Sequence, residues 1–212
     1  MGTLAGRLVK IYRYPVKSLA AQPLDSATVS WHGLDGDRRW AFVRRNQETS
    51  GFPWLTIRQR NDLVRYHVTA DTSVRTPAGR VHDLTDPDLA REVGADRIQK
   101  LDRGTFDSAP LSLITACSAG IEPLRFRRNL LVGTDAPEED WIGRTLRIGT
   151  ARIRIDRRDR RCVVVNVDPV TGQRDPATLT RIARDHDMCL GVYGSTVEPG
   201  TVATGDDVWL DG

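Results

Sequence analysis

Hydrophobic residues alternate with polar ones along most of the chain, in short runs separated by turn residues. Such a period of two is typical of a half-buried β-strand. It is clear at residues 7–14 (RLVKIYRY) and at residues 24–31 (LDSATVSW). Over residues 141–156 it continues on both sides of Gly149, which predicts a hairpin whose outer face carries arginine. The whole chain predicts about eleven to thirteen short strands.

Helical signals are few. Asp86 and Pro87 precede the segment DLAREVG, which predicts a short helix: aspartate caps an N-terminus, proline fits the first turn, and Gly94 fits the position after the end. Asp175 introduces a second helix over residues 176–186 in the same way, and residues 118–124 predict a helical or turn segment. The predicted fold class is therefore mainly β (α+β), as a β-barrel or two fused barrels with a few short helices.

A change in sequence character near residues 94–104 predicts two parts, residues 1–96 and residues 97–212. The total of 212 residues suits one large domain or two tightly joined small ones. No apolar run approaches the roughly 20 residues of a membrane span. The first residues, MGTLAGRLVK, also lack the apolar core of a signal peptide. We therefore expect a cytoplasmic protein that does not associate with membranes.

Composition narrows the possible chemistry. The chain has 31 basic and 28 acidic residues, a net charge of +3 that permits nucleic-acid binding without requiring it. Aromatic residues make up only 6%, which argues against an RNA surface of stacked rings. The three cysteines and four histidines show no ligand spacing, which argues against a disulfide framework and against a metal site held by protein side chains alone.

The most unusual stretch is RRDRRCVVVNVDPVTGQ, at residues 157–173. Four arginines precede Cys162, and a β-branched run predicted as a strand follows it. Nearby cations stabilise a thiolate, which can ligate a soft metal or carry sulfur. We therefore interpret Cys162 as functional. Cys117 and Cys189 lie in segments that look packed, and we interpret both as structural.

Further cations could bind an oxyanion, each with a structural alternative. Lys17 and Ser18, in the sequence PVKS, could clamp a phosphate, or the lysine could lie in solvent. Arg38 beside Asp37 could form an anion fork or an ion pair at a sheet rim. Arg127, in FRRN, could bind an oxyanion or belong to a basic patch for RNA.

Functional and structural interpretations are also both open for the arginine run at residues 157–161 and for Tyr193. The run, which includes Arg160, could be a phosphate cradle, a nucleic-acid stripe or a solvated edge, and Asp159 partly neutralises it. Tyr193 lies between Gly191 and Gly194, which would let a ligand approach the backbone closely. The alternative is a strand aromatic that packs on the barrel.

Taken in order, these motifs resemble the MOSC family, which is named after the C-terminal region of molybdenum cofactor sulfurase. The pattern is most similar to that of the amidoxime-reducing components, with their N-terminal β-barrel part. The matches span nearly the whole chain: YPVKS (14–18), DRRW (37–40), TIRQ (56–59), FRRNL (126–130), RCVVVNVDPVTG (161–172), LGVY (190–193) and EPGTVATGDDV (198–208).

The resemblance implies a MOSC-type β-barrel with an N-terminal β-barrel subdomain and a molybdenum cofactor, a pterin with a dithiolene and a terminal phosphate. It implies that Cys162 is the molybdenum ligand and the catalytic residue. The expected cofactor-binding residues, Arg160 of the arginine run included, are Lys17, Ser18, Arg38, Ser108, Arg127, Arg160 and Tyr193.

The implied activity is reduction of small N-hydroxylated molecules, such as amidoximes or hydroxylamines, with electrons from a separate donor protein. The alternative is a non-enzymatic carrier of the cofactor, or of sulfur as a persulfide on Cys162. The chain departs from the family pattern directly before this cysteine, where Asp159, Arg160 and Arg161 replace small residues. This departure concerns the substrate pocket more than the cofactor.

Overall fold

The computed structural model describes residues 2–47, 49–70, 72–120 and 122–211. Within these residues the chain forms sixteen short strands and three α-helices, so the mainly β prediction is confirmed. The helices are α1 (Pro87–Val93), α2 (Ala116–Ala119) and α3 (Ala177–His186). The strands are β1 (Thr3–Arg13), β2 (Gln22–Leu24), β3 (Ser26–Ser30), β4 (Gly33–Leu34), β5 (Trp40–Arg44), β6 (His67–Ala70), β7 (Ser73–Arg75), β8 (Val81–Asp83), β9 (Ala95–Lys100), β10 (Leu111–Thr115), β11 (Leu130–Gly133), β12 (Thr145–Ile148), β13 (Ala151–Arg160), β14 (Cys189–Glu198), β15 (Gly200–Ala203) and β16 (Asp207–Leu210).

Seven strands close into a barrel. Their order is β11-β10-β14-β13-β12-β16-β1, and β1 pairs with β11 to complete the ring. The neighbours are antiparallel except for β10 and β11, which are parallel. Closure gives each of these strands a hydrogen-bonding partner on both sides.

The barrel interior is an aliphatic core that the alternating pattern produces. Ile153 and Ile155 of β13 are buried, whereas Arg154 between them is exposed. The β12–β13 hairpin predicted around Gly149 is confirmed, with Ile148 opposite Ala151. Burial of one face of each strand removes apolar surface from water. This stabilises the fold by about 25 cal/mol per Å² of buried apolar surface and is the main force that closes the barrel.

The first part of the chain adds a second core. The β5–β9 pair, the three-stranded sheet β6-β7-β8 and α1 pack around Phe42, Leu63 and Leu89. Strands β1 and β3 also belong to this part of the sequence, but they pair with β16 and β15. Main-chain hydrogen bonds therefore join the two parts, and the division at residue 96 stays a prediction.

The two predicted capped helices are present. Asp86 accepts a hydrogen bond from the main-chain nitrogen of Asp88, and Gly94 ends α1 with a φ of 75°. Asp175 accepts from the main-chain nitrogen of Ala177 at 3.0 Å, at the start of α3. No helix in the described part of the chain is long and apolar enough to cross a membrane.

Two predictions of local structure were wrong. The valine run after Cys162 forms a 3-10 turn at Val163–Asn166 instead of a strand. This turn buries Val165 beside Ile182 of α3, and such packing outweighs the strand preference of β-branched residues. Strands are also more numerous than the eleven to thirteen predicted, and some are shorter: the run predicted over residues 24–31 forms β3 at Ser26–Ser30 only, after the short β2.

Candidate functional site

The eight side chains predicted to form the site all line one cavity of about 540 Å³. This volume lies within the roughly 300–1,000 Å³ that is common for small-molecule pockets. The eight residues come from distant parts of the chain, and their roles stay predictions. They are Lys17, Ser18, Arg38, Ser108, Arg127, Arg160, Cys162 and Tyr193.

The loop after β1 places Lys17 and Ser18 in the cavity wall. Nζ of Lys17 donates to the carbonyl oxygen of Phe106 at 2.5 Å, and burial lowers the pKa of Lys17 to about 8. Ser18 is buried with a φ of 74°, and its Oγ accepts a hydrogen bond from the main-chain nitrogen of Ile57 at 3.3 Å. Because this oxygen accepts, the hydroxyl can still donate its own hydrogen to a ligand.

Arg38 is bound mainly by the protein. Its Nη1 donates to Asp37 at 2.5 Å and to Asn129 at 3.3 Å, and its Nη2 donates to the Arg127 carbonyl at 2.6 Å. Its Nε lies 3.0 Å from Asp107. Three of the five N–H groups of Arg38 donate hydrogen bonds within the protein, and its Nε is ion-paired, so the ion-pair interpretation describes Arg38 better than an anion fork.

Charges near Arg38 are strongly coupled. Burial lowers the pKa of Arg38, but the carboxylates of Asp37 and Asp107 outweigh it and raise that pKa above its ordinary value. Burial would raise the pKa of Asp107, but Arg38 and Lys17 reverse this, so the pKa of Asp107 is lowered. Asp107 is therefore a carboxylate at neutral pH.

Tyr14 organises the cations on this side of the cavity, and the sequence analysis did not single it out. Its buried ring lies 4.3 Å from the guanidinium carbon of Arg127 and 4.7 Å from that of Arg38. Burial lowers the pKa of Arg127 to about 10, so this arginine is still charged at neutral pH. Its Nη2 donates to the Leu19 carbonyl at 2.8 Å. We call Lys17, Arg38 and Arg127 the Tyr14 group.

Cys162 is half-buried at the end of β13, directly before the 3-10 turn. A cation from another segment lies beside it, because Nη2 of Arg58 is 3.4 Å from Sγ. Arg161 instead turns to Asp159 and to the Phe126 carbonyl, which it contacts at 2.9 Å. A guanidinium next to a sulfur atom stabilises a thiolate. Arg58 and Cys162 are 104 positions apart, so the sequence could not reveal their contact.

A buried ion network forms the wall beside Cys162. Asp159 lies between Arg128 and Arg161 and pairs with both. The exposed fractions of Arg128, Asp159 and Arg161 are 2%, 4% and 8%. Arg128 directly follows Arg127, but sequence reasoning could not reveal its pairing with a carboxylate 31 positions away along the chain.

The expectation that a ligand approaches the backbone at Gly191 and Gly194 was wrong. A Cβ on Gly191, whose φ is +82°, would lie 3.0 Å from Nε of Arg128 and 3.0 Å from the Leu113 carbonyl oxygen. A Cβ on Gly194 would lie 2.7 Å from the carbonyl oxygen of Arg154. Protein groups therefore fill both spaces, and Gly191 allows Arg128 to lie against β14.

The cavity is strongly cationic. Its described lining contains nine basic side chains and two acidic ones, together with the rings of Phe52, Phe126 and Tyr193. An excess of cations in a concave site favours anionic ligands. Among the described residues, no three His, Cys, Asp or Glu side chains cluster in a way that could hold a metal ion.

Comparison with known families covers almost the whole chain. The MOSC domain family model matches residues 108–209, and that of the MOSC N-terminal beta barrel domain matches residues 5–100.

Curated relatives carry the name molybdenum cofactor sulfurase. The protein from Drosophila mojavensis is 28% identical over 93% of this chain and 33% of its own length. The protein from Drosophila grimshawi is 26% identical over 90% of this chain and 32% of its own length. The chain thus spans about a third of the length of these relatives.

The solved structures show the fold. The YUAD protein from Bacillus subtilis superposes with a TM-score of 0.55 at 15% identity, over 99% of this chain and 98% of that chain. At this identity the likeness concerns the fold alone. It extends over both parts of the chain, the barrel and the segments before it.

Proposed function

This chain belongs to the MOSC family, and on that premise we propose that it binds a molybdenum cofactor in the cavity around Cys162. The observation that carries the proposal is one cavity in which a half-buried thiol faces nine basic and two acidic side chains. Relatives named molybdenum cofactor sulfurase support the link between this family and the cofactor.

The residues of the cavity fit such a group. The cofactor is an anion with a phosphate, and the Tyr14 group supplies the charged Arg127 and Lys17 next to the Ser18 hydroxyl. Cys162 supplies one soft sulfur ligand, and Arg58 lies 3.4 Å from this sulfur and can balance its charge. With no cluster of protein ligands among the described residues, the remaining metal ligands would come from the dithiolene of the pterin.

The finer proposal concerns the reaction. When bound, the cofactor supplies two-electron redox chemistry at the metal. We place the chain among reductases of small N-hydroxylated molecules: an N–O bond takes up two electrons and two protons, and the products are the N–H compound and water. A separate donor protein supplies the electrons. The cation-lined wall orients the substrate in the cavity by its polar or anionic groups.

Metal analysis tests the proposal. We expect molybdenum in protein purified from a host that makes the cofactor, and a large loss of molybdenum in Cys162→Ala. Cys117→Ala is the matched control, because Cys117 is exposed and lies outside this cavity, and it should keep its molybdenum. Wild-type protein without molybdenum, or equal molybdenum in Cys162→Ala, contradicts cofactor binding through this thiol.

Activity is measured separately from metal content. Loaded wild-type protein should reduce benzamidoxime when reduced methyl viologen supplies electrons, and Cys162→Ala should not. A loaded protein that reduces neither amidoximes nor hydroxylamines would contradict the reductase proposal but leave cofactor binding in place.

A second function follows from the same thiol. Arg58 next to Sγ would stabilise a persulfide anion as well as a thiolate, which favours a sulfur or cofactor carrier. Mass spectrometry of the Cys162 peptide tests this: a carrier shows a reducible gain of one sulfur atom and no amidoxime reduction. Absence of that sulfur after incubation with a persulfide donor contradicts the carrier.

A further inference from the structure

The cavity wall beside Cys162 contains more buried cations than buried carboxylates that pair with them. Arg128 and Arg161 share the single carboxylate of Asp159. Nε of each arginine also has no hydrogen-bond partner among the described residues. Buried charges in proteins are normally paired, because removing an ion from water is costly. An incompletely neutralised pair that lines a cavity therefore indicates an anionic occupant.

Tyr193 organises a second group of cations there. Its ring centre lies 5.2 Å from the guanidinium carbon of Arg128 and 4.9 Å from that of Arg157. Arg157 pairs with Tyr193 in the β13–β14 register, and its Nη2 donates to the Ser108 carbonyl at 3.0 Å. Ring contacts and this hydrogen bond hold both guanidinium groups in the cavity wall before any ligand arrives.

This Tyr193 group, defined as Arg128, Arg157 and Tyr193, is distinct from the Tyr14 group. The two groups use different rings and different arginines, and their direct ion pairs differ: Arg38 pairs with Asp37 and Asp107, and Arg128 pairs with Asp159. The charge of Asp107 also acts on Arg128. One cavity thus contains two groups of cations that differ in their rings and in their direct ion-pair partners.

We propose that the Tyr193 group is an anion subsite that receives a carboxylate or phosphate group of the substrate, while the Tyr14 group serves the cofactor. This proposal gives the substrate a contact with Tyr193, which the family resemblance assigns to the cofactor. The part that names the substrate rests on the proposed function. Both anions offer oxygen pairs that match the N–H groups of arginine, and the Tyr193 hydroxyl adds a further donor. The substrate class becomes small N-hydroxylated molecules that carry a carboxylate or phosphate.

Calorimetric titration of three probes tests this subsite without any turnover. Benzoate carries a carboxylate, phenyl phosphate carries a phosphate, and benzamide is a neutral analogue of benzoate. We expect molybdenum-loaded protein to bind at least one anion more tightly than benzamide. The better anion identifies which of the two groups the substrate carries.

Variants connect the binding to the Tyr193 group. Arg157→Gln should weaken anion binding by roughly tenfold or more, as expected for loss of a charged hydrogen bond. Arg128→Lys keeps the charge opposite Asp159 but loses the paired N–H groups, and should weaken it similarly. Arg154→Gln is the matched control, since Arg154 is exposed on the same strand outside the cavity and should bind the anion like wild type.

Three results would overturn the subsite: no preference for an anion over benzamide, equal affinity in Arg157→Gln, or binding that disappears when the cofactor is loaded. The last would mean that the cofactor itself occupies the Tyr193 group. If no preparation contains molybdenum, the proposed function fails, but the same titration still decides the subsite through Arg157→Gln. On loaded enzyme, Arg157→Gln should raise KM for a carboxylated amidoxime by a larger factor than it raises KM for the neutral parent compound.

Discussion

Gly191 offers a sharp test of how β14 and Arg128 pack. Gly191 has a φ of +82°, and an added Cβ would lie 3.0 Å from both Nε of Arg128 and the Leu113 carbonyl oxygen. Gly143 has nearly the same φ, +84°, but its Cβ would meet nothing within 4 Å. The pair Gly191→Ala and Gly143→Ala therefore separates backbone strain from crowding.

The expected magnitudes follow from these two environments. A positive φ costs a residue with a side chain about 1–3 kcal/mol, and both variants should lose that amount. Crowding against the main chain of β10 and the guanidinium of Arg128 should cost Gly191→Ala a further 1–3 kcal/mol or so. The difference between the variants corresponds to about 2–4 °C in Tm per kcal/mol for a chain of this size.

Urea unfolding of both variants, with equal m-values, measures this difference in the free energy of unfolding. Benzoate titration adds a functional readout, because displacement of Arg128 should weaken anion binding in Gly191→Ala and not in Gly143→Ala. Equal destabilisation of the two variants would refute the packing of Arg128 against Gly191. A larger loss of free energy of unfolding in Gly143→Ala than in Gly191→Ala would refute the conclusion that Gly191 is the more crowded of the two positions.

Two further predictions concern buried ionisable groups. Burial lowers the pKa of Lys17 to about 8 from an ordinary 10.5, so between these pH values the unfolded chain binds more protons. The free energy of unfolding should therefore rise with pH across this window, and it should rise more steeply in wild type than in Lys17→Met. Urea unfolding at several pH values measures this, and an equal dependence on pH in both proteins would contradict the buried amine. Glu138 is buried and accepts hydrogen bonds from the Thr115 hydroxyl at 2.6 Å and from the main-chain nitrogen of Gly191 at 2.7 Å. Glu138→Gln places an amide donor against these donors and should lower the free energy of unfolding by about 1–3 kcal/mol. The exposed Glu139→Gln should change it by about 0.5 kcal/mol or less, and similar values for both variants would show that the buried carboxylate is not needed.

Features that depend on neighbouring residues could be predicted from the sequence. The α1 helix follows from its Asp86 cap and Gly94 end, because capping uses hydrogen bonds within one turn. The β12–β13 hairpin follows from alternation around Gly149. The valine run after Cys162 is the exception: its strand preference was outweighed by burial of Val165 against α3, which lies later in the chain.

The candidate site was predictable to the extent that family-like motifs mark it. Cys162, Lys17 and Arg127 were singled out from the sequence, and the fold brings them to one cavity. Arg58 and Arg128 were not, because their significance lies in contacts to Cys162 and Asp159 that no local pattern records. Both arginines lie inside recognised motifs, Arg58 in TIRQ and Arg128 in FRRNL, so examining every arginine of those motifs could have found them.

The sequence by itself determined the mainly β class, the capped helices, the membership in the MOSC family and eight residues that line one cavity. These depend on local periodicity, capping and motif order. Only the tertiary structure decided that β1 closes the barrel against β11, that Arg58 faces the thiol, and that Arg128 shares Asp159 with Arg161. The physical reason is that these pairings join residues far apart in the chain, where the burial of charge and apolar surface selects one partner among many.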